Sequence, residues 1–248
     1  MKLSTKLLIL GNVCLLAFAS WLFFRERYPS RVYKALTKPE ATSETVTDPF
    51  HRKELFDAMP ADTNALVFLG NSLTQHFELA EFFPGAHVMN RGISGDLTGG
   101  VLQRLDAIVK AQPKKIFIEI GINDVFREIP EDTILKRYAR IINRLVKECP
   151  KTHIFVQSLF PVSNDAGMLQ QYDTKNINHM VASINKQLQS FVAEKNTNPG
   201  SQSRVHYIDT YSKFNDDGLR KDYTIDGVHL SAKGYILWAA ILKPFVGE

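Results

Sequence analysis

Val67-Phe68-Leu69-Gly70-Asn71-Ser72-Leu73-Thr74 is the stretch on which the fold turns. A short apolar run halted by a turn signal marks a strand buried on both faces, as in a parallel sheet. Gly-Asn-Ser then places a hydroxyl at the C-terminal edge of that strand. Open α/β sheets put their ligand sites at such edges.

Working outward, the strand signal recurs and alternates with helical periodicity. Strands are expected at 65–69, 87–90, 115–120, 152–158 and 205–208. One helix is expected at 97–112, where Val101, Leu102, Leu105, Ile108 and Val109 share a face. Another is expected at 132–148, with Asp132 or Thr133 as its cap and Pro150 as its stop. Further helices are expected at 176–194 and 231–245, the last capped by Ser231, and a short one at 51–59. Alternating strands and helices imply an α/β fold, a parallel sheet covered on both faces. Polar loops follow the strands, at Asn71-Ser72, 91–95, Asn123-Asp124, Ser158 and 209–229.

The 248 residues suffice for one sizeable core. Net charge is +4, but residues 1–34 carry Lys2, Lys6, Arg25, Arg27, Arg31 and Lys34 against Glu26 alone. The remainder is close to neutral, which argues against nucleic-acid binding. Cys14 and Cys149 are the two cysteines, one in an N-terminal apolar run and one at the end of a predicted helix. They imply no disulfide framework. Cys149 reads as a buried, inert thiol.

Residues 7–24 form an uncharged run of 18 residues after Lys2 and Lys6. At 1.5 Å per residue it spans about 27 Å, close to a thin hydrocarbon core. Trp21-Leu22-Phe23-Phe24 carries the run past the small-residue site Ala17-Phe18-Ala19. An uncleaved signal anchor over 1–28 is therefore favoured, with a cleaved signal peptide as the alternative. Residues 29–49 have the Pro, Thr, Ser, Glu and Lys content of a tether, and 50–248 form the domain. The domain is expected outside the cytoplasm, anchored to the membrane (the periplasm in a bacterium) or secreted after cleavage. Oligomeric state is left open.

Four blocks carry chemistry. Ser72 after Gly70-Asn71 is either an ordinary helix-capping serine or an exposed nucleophile beside free backbone N–H groups. In Asn90-Arg91-Gly92-Ile93-Ser94-Gly95-Asp96 the glycines allow close backbone approach to a ligand, or mark a flexible turn. Asn123 in Gly121-Ile122-Asn123-Asp124 forms an Asx turn or donates an amide hydrogen bond to an oxyanion. Asp226-Gly227-Val228-His229 offers an acid and an imidazole three residues apart, or merely a cap and a surface histidine. No nucleotide-binding glycine motif is present. Neither H-E-x-x-H, paired cysteines nor an EF-hand spacing occurs, so no metal or other cofactor is expected.

In order and at domain-scale spacing, Gly70-Asn71-Ser72-Leu73, Gly95, Gly121-Ile122-Asn123-Asp124 and Asp226-Gly227-Val228-His229 resemble the four blocks of the SGNH (GDSL-type) hydrolases. The resemblance spans roughly residues 63–246. It is nearest to small acetyl or carbohydrate esterases of the platelet-activating-factor acetylhydrolase type. It implies a three-layer α/β/α sandwich with a five-stranded parallel sheet, the flavodoxin-like SGNH arrangement. It further implies Ser72 as nucleophile, His229 as base, Asp226 as orienting acid, and an oxyanion hole from the N–H groups of Ser72 and Gly95 and the Asn123 side chain. Asn71 departs from the family's aspartate; its amide is expected to organise the turn without a fixed charge.

The resulting expectation is a serine esterase acting on short O-acyl groups, such as O-acetyl on carbohydrate, through an acyl-serine. A lipid esterase or acyltransferase, or a non-catalytic glycan-binding module of the same fold, are the alternatives. Expected partners are a small-molecule or glycan ester and, through the N-terminal segment, a membrane. Tyr211, Phe214 and Tyr223 in the 209–225 loop either shape the pocket or, for at least two of them, pack the loop.

Overall fold

The computed structural model describes residues 51–164, 169–197 and 204–247. The expected anchor at 1–28 and tether at 29–49 lie outside them. In chain order the elements begin with α1 (Arg52–Ala58), β1 (Leu66–Gly70), α2 (Ser72–Gln75), α3 (Leu79–Phe82) and β2 (Val88–Gly92). Next come α4 (Thr98–Gln103), α5 (Leu105–Ala111), β3 (Lys115–Glu119), α6 (Ile122–Phe126), α7 (Glu131–Glu148) and β4 (His153–Gln157). The chain continues through α8 (Thr174–Thr197), β5 (Val205–Ile208), α9 (Tyr211–Phe214), a 3₁₀ turn (Lys221–Tyr223) and α10 (Ala232–Gly247).

All five strands are parallel, in the order β2-β1-β3-β4-β5. Because strand side chains alternate between faces, each strand feeds two cores. Val67, Leu69, Ile116, Ile118, Ile154 and Val156 face α4, α5, α7 and α8. Leu66, Phe68, Phe117 and Phe155 face α2, α3, α9 and α10. The result is a three-layer α/β/α sandwich, as the sequence leads one to expect. On the second face Phe68, Phe117, Phe155 and His206 stack strand to strand, with ring centroids 4.6, 4.7 and 4.8 Å apart. Strand register puts these residues directly opposite one another. Such pairs contribute roughly 0.5–1.5 kcal/mol each beyond their buried area.

Three local expectations need correction. The single helix foreseen at 97–112 is two, broken at Arg104 with φ −116° and ψ 14°. The break lets the Arg104 side chain reach two carbonyls and a carboxylate at the sheet edge. Helix α7 has no side-chain cap from Asp132 or Thr133. Pro130 precedes its first residue instead, and its carbonyl accepts from the N–H groups of Thr133 and Ile134. The turn after β3 is a short helix rather than a loop, while the helix expected at Ser72 is present as α2, capped by Asn71 and not by Ser72. Ser231 does serve α10, its Oγ accepting from the Gly234 N–H at 3.3 Å. Cys149 is fully buried, and burial pushes its thiol pKa up.

Candidate active site

Gly70 ends β1 because nothing larger fits. A Cβ there would lie 2.2 Å from Thr74 Oγ1 and 2.4 Å from the Glu119 carbonyl. Asn71 follows as the N-cap of α2, and its Oδ1 accepts from the Leu73 N–H at 2.9 Å. The amide thus organises the turn as expected. Ser72 is the first residue of α2, so its N–H has no acceptor within the helix.

Gly92 admits close approach, but to the protein rather than to a ligand. A Cβ there would sit 2.2 Å from the Gln75 nitrogen, so glycine lets β2 press against α2. Gln75 also holds the next loop, accepting from the Ser94 N–H at 2.8 Å. Gly95 takes φ +77°, the left-handed region open to glycine. Asp96 then pairs with Arg104 in full burial at 2.8 Å. The Arg104 guanidinium also donates to the carbonyls of Arg91 (2.9 Å) and Gly70 (3.0 Å), fastening the ends of β1 and β2 together.

Gly121 takes φ +128° and opens α6. Asn123 Nδ2 donates to the Asp96 carbonyl at 3.0 Å, which joins the 95–96 loop to the first turn of α6. Beside it, Asp124 is buried and accepts from the Thr98 N–H (3.0 Å) and hydroxyl (2.6 Å), with Arg137 at 3.4 Å. Burial raises the Asp124 carboxyl, and the Thr98 bonds and Arg137 only partly offset it.

Before α10, Asp226 Oδ1 accepts from the N–H groups of Val228 (2.9 Å) and His229 (2.7 Å). Its other oxygen lies 2.6 Å from His229 Nδ1. Burial pushes this carboxyl up, but the hydrogen bonds from His229 and Val228 outweigh it and leave the group below its ordinary value. Thr224 Oγ1 donates to the His229 carbonyl and accepts from the Gly227 N–H, both at 2.8 Å. Ser163 secures the loop through Gly227.

His229 Nε2 comes 2.9 Å from Ser72 Oγ. An Asp–His–Ser chain therefore runs from the loop before α10 to the nucleophile turn, with both ring nitrogens of the imidazole engaged. Such a chain lets a hydroxyl be deprotonated as it attacks, with the carboxylate fixing the tautomer. The structure brings together Ser72, Asp226 and His229, and it brings Asn123 to the Gly95–Asp96 loop. The exposed His76 ring stands 5.7 Å from that of His229; burial first, then the charges of His229 and Arg52, lower its pKa.

Sequence reasoning assigned no role to Arg104, Thr224, Tyr235 or Glu119. Tyr235 of α10 donates to the Leu73 carbonyl at 2.9 Å and so ties that helix to α2. Phe214 is buried against Phe160 (4.8 Å) and Tyr223 (5.5 Å), so these two aromatics pack the loop. Tyr211 lines an open cavity of about 370 Å³ with Lys175, Asn178 and His179.

Residues 67–237 match the family model of the GDSL-like lipase/acylhydrolase family. The chain belongs to that family. As a GDSL-like acylhydrolase it is an ester hydrolase. Among curated relatives, the human platelet-activating factor acetylhydrolase IB subunit alpha2 is 26% identical over 202 residues, covering 78% of this chain and 79% of that one. A GDSL-like lipase from Bacteroides thetaiotaomicron superposes with a TM-score of 0.67 at 20% identity, covering 79% of this chain and 97% of the other. A variant of a Geobacillus acetyl-xylooligosaccharide esterase superposes with a TM-score of 0.58 at 18% identity, covering 76% and 96%. At these identities the two solved structures speak to the fold. Among the described residues no helix is long and apolar enough to cross a membrane.

Proposed function

We propose that this GDSL-like hydrolase cleaves short O-acyl groups, O-acetyl above all, from carbohydrate through an acyl-serine. The observation that carries the mechanism is the continuous contact from Asp226 through His229 to Ser72. His229 takes the Ser72 proton as Oγ attacks the ester carbonyl. The N–H groups of Ser72 and Gly95 and the Asn123 amide receive the charge that develops on the carbonyl oxygen. The carbonyl re-forms, the C–O bond breaks, and His229 protonates the departing alcohol. A water molecule, deprotonated by the same imidazole, then releases the acid and restores Ser72.

The substrate assignment is supported by two names. The human relative is an acetylhydrolase, and the Geobacillus protein of like fold acts on acetylated xylo-oligosaccharide. The uncharged run at 7–24 supports an export signal or anchor that would carry the domain to envelope or extracellular glycans.

The test is acetate release from acetylated xylo-oligosaccharide, set beside an acetylated phospholipid and p-nitrophenyl esters of increasing chain length. Preferential sugar deacetylation supports the assignment. Preference for the phospholipid or for long acyl chains overturns it in favour of a lipid esterase.

A further inference from the structure

Glu119 is a carboxyl in the wrong place for a strand core. It ends β3 within the run Ile116-Phe117-Ile118-Glu119-Ile120, is fully buried, and neither of its oxygens has a hydrogen-bond partner among the described residues. Its register partner is Gly70, one residue before Asn71 and two before Ser72. Asn71 is also fully buried, and its Nδ2 is likewise without a partner. An orphan donor and two orphan acceptors thus lie at adjacent strand ends, directly behind the nucleophile turn. Buried polar groups are rarely left unpaired, and a water held by several of them is the usual remedy.

We propose that Glu119 is a positioning residue that keeps its proton and, through a bridging water shared with the Asn71 amide, holds the Ser72 turn from behind. This rests on the assignment of Ser72 as nucleophile. Burial alone raises the Glu119 carboxyl to about 8, with no charged side chain opposing it. The titratable groups that sense its charge are Tyr235 of α10 and Tyr138 of α7, both neutral phenols. Its register partner Gly70, and Thr74 of α2 packed against that glycine, carry no ionisable group. An aspartate in place of Asn71 would set a second carboxyl beside this one. The neutral amide at 71 and the buried acid at 119 therefore form a matched pair.

The test compares full-length wild type with Glu119→Gln, Glu119→Leu and Ser72→Ala, using p-nitrophenyl acetate across a pH series. Wild type should lose kcat above about pH 8, while Glu119→Gln keeps its neutral-pH kcat within about threefold and shows no such decline. Glu119→Leu should lower kcat about tenfold or more at unchanged KM. At neutral pH the infrared difference between wild type and Glu119→Gln should show the carbonyl band of a protonated carboxylic acid. A carboxylate band in its place, the same alkaline decline in Glu119→Gln, or wild-type kcat in Glu119→Leu would each overturn the proposal. The infrared readout stands even if the leucine variant fails to fold. Turnover surviving in Ser72→Ala would instead remove the nucleophile assignment, separating that failure from this one.

Discussion

His229 Nε2 lies 2.9 Å from Ser72 Oγ although 157 positions separate the two in the chain. The contact exists because β1 ends in the turn that opens α2, while Tyr235 of α10 clasps the same short helix by its Leu73 carbonyl. Ser72→Ala and His229→Ala should each lower kcat by on the order of 10⁶, because residues acting as a unit fail together. Combining the two should cost little more than either alone. Circular dichroism and the melting temperature should stay near wild type, since neither side chain belongs to a core. Additive losses in the double variant would argue against a shared proton path.

Asp226 binds His229 twice, once through the backbone N–H and once through Nδ1. Asp226→Asn keeps the shape but presents an amide to one of these donors. The imidazole is then free to take the wrong tautomer, and kcat should fall by up to about 10⁴. A loss confined to KM would contradict an orienting role.

Asn123 donates to the Asp96 carbonyl rather than to any charged group, so its amide is available to a developing oxyanion without breaking an ion pair. Asn123→Ala should reduce kcat by about 10²–10³ with KM little changed. Steady-state kinetics on a single acetyl ester suffice to check this. An equal rise in KM would assign Asn123 to ground-state binding instead.

Arg104 supplies a buried counter-charge to Asp96 and hydrogen bonds to the carbonyls of Gly70 and Arg91. Arg104→Leu removes all three, the buried guanidinium–carboxylate pair with Asp96 among them. Breaking one side of a buried pair typically costs about 3–5 kcal/mol, so denaturant midpoints should drop sharply. Because Gly70 and Arg91 lie at the ends of β1 and β2, activity at low temperature should fall as well.

How much of this was legible beforehand follows from the range of each interaction. The strands were readable because runs such as Val67–Leu69 and Ile116–Ile118 are buried on both sides, which leaves a continuous apolar signal. Asp226-x-x-His229 was readable because its hydrogen bonds close over three residues. The break at Arg104 was not, because local periodicity favours one continuous helix there. What interrupts it is the demand of carbonyls 13 and 34 positions away. The short helix α6 was hidden for a related reason: five residues give no period. Glu119 passes unremarked within the strand at 115–120, because its meaning depends on Gly70 and Asn71 lying alongside.

Glu119 also makes stability depend on pH in a direction opposite to that of most carboxylates. Its folded pKa is raised from 4.5 to about 8, so the folded chain retains a proton that the unfolded chain has already released. Stability is therefore fully present below about pH 4.5, declines as pH rises, and levels off above about pH 8. Asp124, raised by burial as well, adds a slope of the same sign, so the comparison must be made with Glu119→Gln rather than read from wild type alone. Asp226 acts oppositely and lower down: its depressed pKa contributes stability that is lost as pH falls below its ordinary value of 3.8. Between about pH 5 and pH 8, wild type should lose on the order of a few kcal/mol relative to Glu119→Gln. Urea midpoints of both proteins at the two ends of that window measure the difference. Parallel curves would mean that Glu119 is ionised in the folded chain, and would place a cation beside it.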